Sequence, residues 1–510
     1  MEKELMDKEV LCIFDTRQIQ RFMFHSNTFR DTVGASDRLT YILPEALFFA
    51  ASHIDPPLSK EEYDLNNDPD AEVIPWFTDP RIRFQLIFEA AGNALCLFRT
   101  GVLAQKVIRK VSRYYLDQAY SLNVTAAVTE KTEHLGRDIF HLYQKLNAIK
   151  ASPAVSDPLG VLPFVMHEHN TGYPVCGIDP KTGEGYSMAS YLRRQEASKR
   201  QFLQGMDDIV FTPGIAGQNY AAVIHADGNN LGITIGSILQ NTDDYMKGIR
   251  MRRRINRNIE TVYSSIVERT VQQLKEYQKT VSKEPFEKMF QIIHRAGDDV
   301  NILCSSSLAV PFVNFFYANL KGATIWQDSE YFIPLYVCTG IAFVCRGFSF
   351  HEAFSHAEEC CTSAKTSAKL QRNLRNGLAG NWIDYQVFSR PGGQDLDHLR
   401  STLYISNENV NLLTRPYCLD EEAKGTPYYW PAFVEHCEKL RAMNLSEQEL
   451  RYMSMVYQMG KPFMRRWISQ KQQGGMDYIR DLGEPLYEDG DHEIHATWFD
   501  VAEMMEMMRG

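Results

Sequence analysis

The sequence predicts an α+β chain in which one βα-hairpin-αβα unit occurs twice and a helical segment follows. Three observations carry this prediction. Apolar strand-type runs end at an aspartate twice, at Asp15 and at Asp227, 212 positions apart. A glycine-centred hairpin signal follows each, at Gly92 and at Gly297, 205 positions apart. The patterns after each hairpin then recur in the same order, and a difference of seven between the offsets is ordinary loop variation.

Val10 to Phe14 is a short apolar run that reads as a buried strand ending at Asp15. A long helical stretch follows. FQLIFEA and ALCLF flank Ala91-Gly92-Asn93-Ala94, and a Gly-Asn centre between two β-type runs signals a hairpin. A helix (102–118), the strand LNVTAAVT and a helix (131–149) complete the first copy. In the second, Ala221 to Ala226 ends at Asp227, a long helical region follows, and FQIIHR and VNILC flank Ala296-Gly297-Asp298-Asp299. A helix (308–320), the strand PLYVCTGIAFVC, a helix (350–369) and the strand WIDYQVF come next. Such a unit is an antiparallel-cored, ferredoxin-like sheet with helices on one face, a palm-like domain present in tandem. The expected organisation is a first palm over 1–150, a breaker-rich linker or insertion over 151–215 (Pro153, Pro158, Pro163, Gly172, Pro174, Pro180, Gly183), a second palm over 216–391 and a helical domain over 392–510. In the last, Ser446 and Glu449 form a capping box before LRYMSMVYQM, whose methionines read as packing.

At 510 residues, with 44% hydrophobic and 23% charged residues, the chain is globular and too long for one ordinary core. No run reaches the roughly 18 to 20 apolar residues needed to cross a bilayer, and the charged start MEKELMDKEVLCIF does not read as a secretion signal. Cysteines sit singly in apolar runs (Cys12, Cys96, Cys304, Cys338, Cys345) without a CxxC pair. The expectation is a soluble, cytoplasmic protein that does not engage a membrane. With 54 basic against 64 acidic residues, a net charge of −10 excludes sequence-blind wrapping of nucleic acid. The strongest basic patch is Lys247, Arg250, Arg252, Arg253, Arg254 and Arg257, read first as a solvated helical face and otherwise as an RNA contact.

Asp227 is followed by Gly228-Asn229-Asn230-Leu231-Gly232, a turn into a helix whose backbone N–H groups can face a phosphate. Asp298 and Asp299 sit at the tip of the next hairpin, where Gly297 permits the sharp turn. On a palm sheet these loops leave adjacent strands at one edge, so three carboxylates converge. Like charges held so close need a cation, and hard oxygen donors suit two Mg²⁺ or Mn²⁺ ions that polarise a nucleoside triphosphate for in-line attack. The predicted catalytic and metal residues are Asp227, Asp298 and Asp299. The first hairpin carries no carboxylate, so its site is expected to be degenerate.

These residues resemble the large polymerase/cyclase subunit of type III CRISPR effector complexes, a relative of the GGDEF cyclases. Phe14 to Gln20, Ser26-Asn27 and Gly34-Ala35-Ser36 look like its first palm, and Thr171-Gly172-Tyr173-Pro174 like its TG-x-P segment. Ala226 to Gly232 matches the first metal loop. Ala296 to Asp299 matches the GGDD hairpin, with Ala296 in place of its first glycine. Thr339 to Phe343, Ala357-Glu358-Glu359 and Ala364-Lys365 resemble the closing strand and helix. The resemblance implies that two palms hold two nucleoside triphosphates, ATP favoured, with chemistry at the second palm only. Its product is a cyclic oligoadenylate used in antiviral defence. Gly228, Asn229, Asn230, Gly232, Gly297 and Lys365 are the expected nucleotide-binding residues, Lys365 neutralising the triphosphate. RNA or other subunits of a defence complex are further candidate partners. No His-Asp dipeptide occurs, so the nuclease element often attached to that subunit is not expected.

The alternative is a catalytically degenerate palm protein that binds nucleotide or RNA as a scaffold. Other clusters read as structural: His167, His169 and Cys176 lack a fourth zinc ligand, Cys360-Cys361 follows a helical apolar pattern, and Pro427 to Pro431 packs the last domain.

Overall fold

The computed structural model describes residues 3–26, 28–90, 92–151, 164–180, 182–199, 203, 205–214, 217–327, 329–370, 380–393, 395–407, 411–443, 445–473, 487–488, 494–495 and 497–508. Apolar and β-branched residues without a breaker make Val10–Arg17 the first strand, β1. The helix Phe29–His53 (α1), the hairpin Phe84–Ala90 (β2) and Asn93–Phe98 (β3), the helix Gly101–Gln118 (α2), the strand Asn123–Glu130 (β4) and the helix Leu135–Lys150 (α3) follow. The series then recurs: Asn219–Gly228 (β5), Tyr245–Val281 (α4), Phe290–Ala296 (β6), Asp299–Ser305 (β7), Ser306–Leu320 (α5), Val337–Cys345 (β8), Phe350–Leu370 (α6) and Trp382–Phe388 (β9).

The first sheet is ordered Tyr63–Asp64, β2, β3, β1, β4. The second runs β6, β7, β5, β8, β9, with Tyr417–Cys418 (β10) at the far edge. In each, the strand bearing the aspartate lies antiparallel between the second hairpin strand and the next strand in the series. The β8–β9 pair is parallel, which makes the second sheet mixed.

Several expectations are corrected here. Both aspartates lie inside their strands, since backbone pairing continues past Asp15 to Arg17 and past Asp227 to Gly228. The second sheet is covered on both faces: all residues of β8 and β9 are buried, at both parities of the strand. On one side Asp384 pairs with Arg400. On the other, the Tyr385 ring meets Phe433 of the helix Trp430–Ala442 (α7), and its hydroxyl donates to the Asp500 carbonyl of Thr497–Met507 (α8). Strands also do not stop at 392, because β10 pairs with β9. The capping box is present, with Ser446 Oγ accepting from Glu449 N. Met453 and Met464 are buried, whereas Met455 and Met459 face solvent.

Segment 151–215 is more than a linker. A hairpin, Val175–Ile178 with Gly185–Ser187, leads into the helix Met188–Ala197, which lies on α1. A Cβ at Gly34 would stand 1.8 Å from the Arg193 carbonyl oxygen, so only glycine admits this approach. Pro153, Pro158 and Pro163 lie outside the described residues. The arginine patch is divided: Lys247, Arg254 and Arg257 are exposed, as a solvated face requires, whereas the others turn toward the protein. Arg253 is buried, Arg252 stacks on Phe88 at 4.1 Å, and Arg254 and Arg257 pair with Asp70, so α4 spends these cations on the first half of the chain.

Gly340 on β8 shows how closely α6 is laid on the sheet: a Cβ there would meet the Ala357 carbonyl oxygen at 2.0 Å. Gly340→Ala is expected to cost about 1–3 kcal/mol through overpacking against backbone, read as a lower melting temperature. An unchanged melting temperature would mean that helix and strand separate more readily than their packing implies.

Candidate active site

Strand register brings the predicted carboxylates together. Asp299, the first residue of β7, is the direct Cα partner of Asp227 on β5, and Asp298 occupies the turn beside them. Gly297 takes a positive φ of 59°, which the sharp turn requires. The Gly228 amide donates to the Asp298 carbonyl at 3.1 Å, and a Cβ on Gly228 would lie 1.9 Å from the Asp298 carboxylate. The missing side chain at 228 is therefore the space that Asp298 fills. Lys365 reaches from α6 and hydrogen-bonds the Asp227 carboxylate.

Among the described residues no three His, Cys, Asp or Glu side chains form a ready cation cage. The carboxylates sit side by side but are turned to separate partners: Asp227 to Lys365, Asp299 to His225, and Asp298 to the space at Gly228. His225 Nδ1 lies 2.7 Å from Asn301 Oδ1 and 3.3 Å from Asp299 Oδ1. Burial pulls the His225 imidazole down, but Asp299, Asn301 and Asp227 outweigh it and hold it up at about 9. Burial and the Asp227 charge push the Asp298 carboxyl up to about 6. The donor set fits a divalent cation: three hard oxygen groups crowd one sheet edge, and buried Asp299 Oδ1 has an ion-pair contact with His225 and no well-formed hydrogen bond.

Asp298 makes the site pH-dependent. Its carboxyl is raised above the ordinary 3.8, so folding is penalised progressively as pH climbs from about 4 through 6, and the penalty is full above that. A cation held by the ionised form would follow this titration, so the apparent Mn²⁺ affinity of the nucleotide-free protein is expected to rise about fivefold from pH 5 to 6 and to level off above 7. Calorimetric titration across that range checks this; a flat profile would take Asp298 out of the cation site.

The glycine-flanked turn departs from expectation in two places. Asn229 is buried, its amide donates to the Tyr336 carbonyl at 2.8 Å and its side chain to Gly380 at 3.2 Å, so it braces the loop and does not face a nucleotide. With the Gly228 and Asn229 amides both engaged, the phosphate-facing donors narrow to the first turn of the helix Leu231–Gln240. Asn230 adopts the left-handed conformation that starts this helix, and Gly232 is exposed with open space around its Cα.

The first sheet carries a counterpart. Asp15 pairs in register with Asn93, Thr16 N donates to the Gly92 carbonyl at 2.9 Å, and Gln18 is left-handed like Asn230. Gly92 therefore stands where Asp298 does and Asn93 where Asp299 does, shifting by one the pairing of Gly92 with Gly297 expected from sequence. Side chain and space are exchanged: a Cβ on Gly92 would meet the Thr16 side chain at 3.2 Å, so Thr16 fills the volume that a carboxylate fills in the second sheet. Lys150, at the end of α3, pairs with Asp15 at 2.8 Å as Lys365 pairs with Asp227.

No family model matches the sequence, and no curated protein matches it. Among solved structures, Csm1 of T. onnurineus matches over 99% of this chain and 70% of its own, with a TM-score of 0.50 and 14% identity. The chain shares the fold of Csm1. Csm1 is the type III CRISPR subunit that the motifs resemble. An apo Csm1–Csm4 cassette matches at a TM-score of 0.49 with 14% identity, over 100% of this chain and 71% of that one. A cassette in complex with AMPPNP matches at 0.47 with 15% identity, over 99% and 70%.

On this Csm1-like frame, sequence reasoning missed His225, Asn301 and Lys150. The signal for His225 was a lone polar residue in YAAVIHADG, two positions before Asp227; for Lys150 it was the repeat itself. The remaining clusters are structural. His167 Nδ1 lies 3.1 Å from the Gly172 carbonyl, Cys360 and Cys361 are buried, Trp430 donates to Asn314 on α5, and Asn27 lies outside the described residues. No described helix is long and apolar enough to cross a membrane.

Proposed function

We propose that the chain is a metal-dependent nucleotidyltransferase that joins nucleoside triphosphates, ATP foremost, into a cyclic oligonucleotide with release of pyrophosphate, as a cytoplasmic antiviral signal. The observation that carries this is the Asp227–Asp299 register, with Asp298 beside it and Lys365 at its rim, on a sheet of Csm1 fold. On this reading residues 1–150 and 216–391 are two palms, 151–215 joins them, and 392–510 covers the second.

Asp227, Asp298 and Asp299 would hold two Mg²⁺ or Mn²⁺ ions, which when bound polarise the α-phosphate and lower the pKa of the attacking hydroxyl. Lys365 exchanges Asp227 for triphosphate oxygens and neutralises their charge. Amides at the start of Leu231–Gln240 orient the phosphates. His225 holds Asp299 in place. At the first sheet, Asp15 and Lys150 mark where a second triphosphate lies, without chemistry there.

Incubating the purified protein with each labelled triphosphate and Mg²⁺ or Mn²⁺, with products resolved by mass spectrometry, tests the reading; ATP is expected to give a cyclic product. The engaged state of Asp227 and Asp299 favours a second reading, a nucleotide-binding scaffold. It predicts triphosphate binding with no product from any base.

A further inference from the structure

Each sheet's hairpin is interrupted by a one-residue bulge, at Leu86/Phe88 in β2 and at Ile292/His294 in β6. A bulge turns backbone groups out of the ladder, and these need partners. In both cases a partner comes from the long helix of the other half. Arg253 of α4 donates to the carbonyls of Leu86 at 2.6 Å and Ile87 at 3.0 Å. Ser36 of α1, buried, lies 3.1 Å from the Ile293 carbonyl and 2.7 Å from His294 Nδ1. A hydroxyl has one proton, and the carbonyl can only accept, so Ser36 donates to Ile293 and His294 donates through Nδ1–H to Ser36. The two clamps are reciprocal, one per hairpin.

Ser36 thus grips β6 four positions before Asp298. It belongs to Gly34-Ala35-Ser36, where Gly34 seats the helix Met188–Ala197 on α1 and Arg194 of that helix pairs with Asp31 at 2.9 Å, so α1 is itself braced from behind. We infer that Ser36 is a positioning residue for the Asp298-Asp299 hairpin: the first half of the chain sets, through one hydroxyl, where the second half presents its carboxylates. The role at a cation site rests on the proposed function; the cross-half clamp does not.

Hydrogen exchange on the full chain separates clamp from general stability. Ser36→Ala is expected to speed exchange across 290–305 about tenfold, through loss of its hydrogen bonds to Ile293 and His294, and to leave 84–98 unchanged. Arg253→Gln should do the reverse. Ser36→Thr, which keeps the hydroxyl, should restore protection. Mn²⁺ affinity of the nucleotide-free protein should fall about tenfold in Ser36→Ala and stay unchanged in Arg253→Gln. Equal acceleration of both hairpins by Ser36→Ala, or of neither, would overturn the clamp. Localised acceleration with unchanged Mn²⁺ affinity would overturn the positioning role. Absence of product from the unaltered protein would instead sink the proposed function and leave the exchange result standing.

Discussion

Asp298→Ala combined with Asp299→Ala is expected to lower triphosphate turnover by about 10³-fold or more, the scale lost when charge stabilisation at a reacting phosphate is removed. The fold should survive. Asp298 is held up at about 6 because its ionised form is opposed by burial and by Asp227, so deleting it relieves repulsion. Deleting Asp299 takes the ion-pair partner from buried His225, which keeps Asn301 and the Phe354 ring beside it, and this loss offsets the gain. The melting temperature at pH 7 should therefore change little while product disappears. Product that persists at the unaltered rate would place the chemistry elsewhere.

Gly228→Ala should act almost as strongly through a single methyl group. The new Cβ falls 1.9 Å from the Asp298 carboxylate and 2.9 Å from its Cβ, so the carboxylate swings away and the hairpin backbone gives by a few tenths of an ångström. Turnover is expected to drop about 10²-fold or more, since misplacement by about 1 Å costs that much. The loss should be much smaller when Gly228→Ala is placed on an Asp298→Ala background, because the methyl then meets only the Cβ at 2.9 Å and no carboxylate. A double-mutant cycle in turnover reads this directly. Additive losses would mean that glycine at 228 serves the nucleotide and not the carboxylate.

The features legible in the sequence were those with short-range signatures. Hairpin glycines, aspartates closing apolar runs and the 3.6-residue pattern of α6 marked the elements on which Asp227, Asp298 and Lys365 stand, although the strands run on past the aspartates. What escaped depended on contacts distant in the chain. Arg253 resembled a solvated cation because nothing near it in sequence reveals the bulge at Leu86. Asn229 looked like a phosphate-loop residue because its bond to Gly380 spans 151 positions. The last segment carried no readable motif. It is held together by Arg415 buried between Asp500 and Glu503, a network assembled from residues about 85 positions apart, and joined to β9 where Arg415 donates to Gln386 and Tyr385 donates to the Asp500 carbonyl.

The exchange between Thr16/Gly92 in one sheet and Gly228/Asp298 in the other bears on descent. Two copies of an ancestral unit that differ at both positions cannot interconvert by one substitution without passing a poor intermediate. A bulky residue at both places collides, and glycine at both leaves a void. Once the pair had diverged, neither copy could drift back into the other's role in a single step. The difference between the two sheets at these positions is thus held by steric epistasis, and it should persist in lineages where the surrounding surface has changed almost beyond recognition.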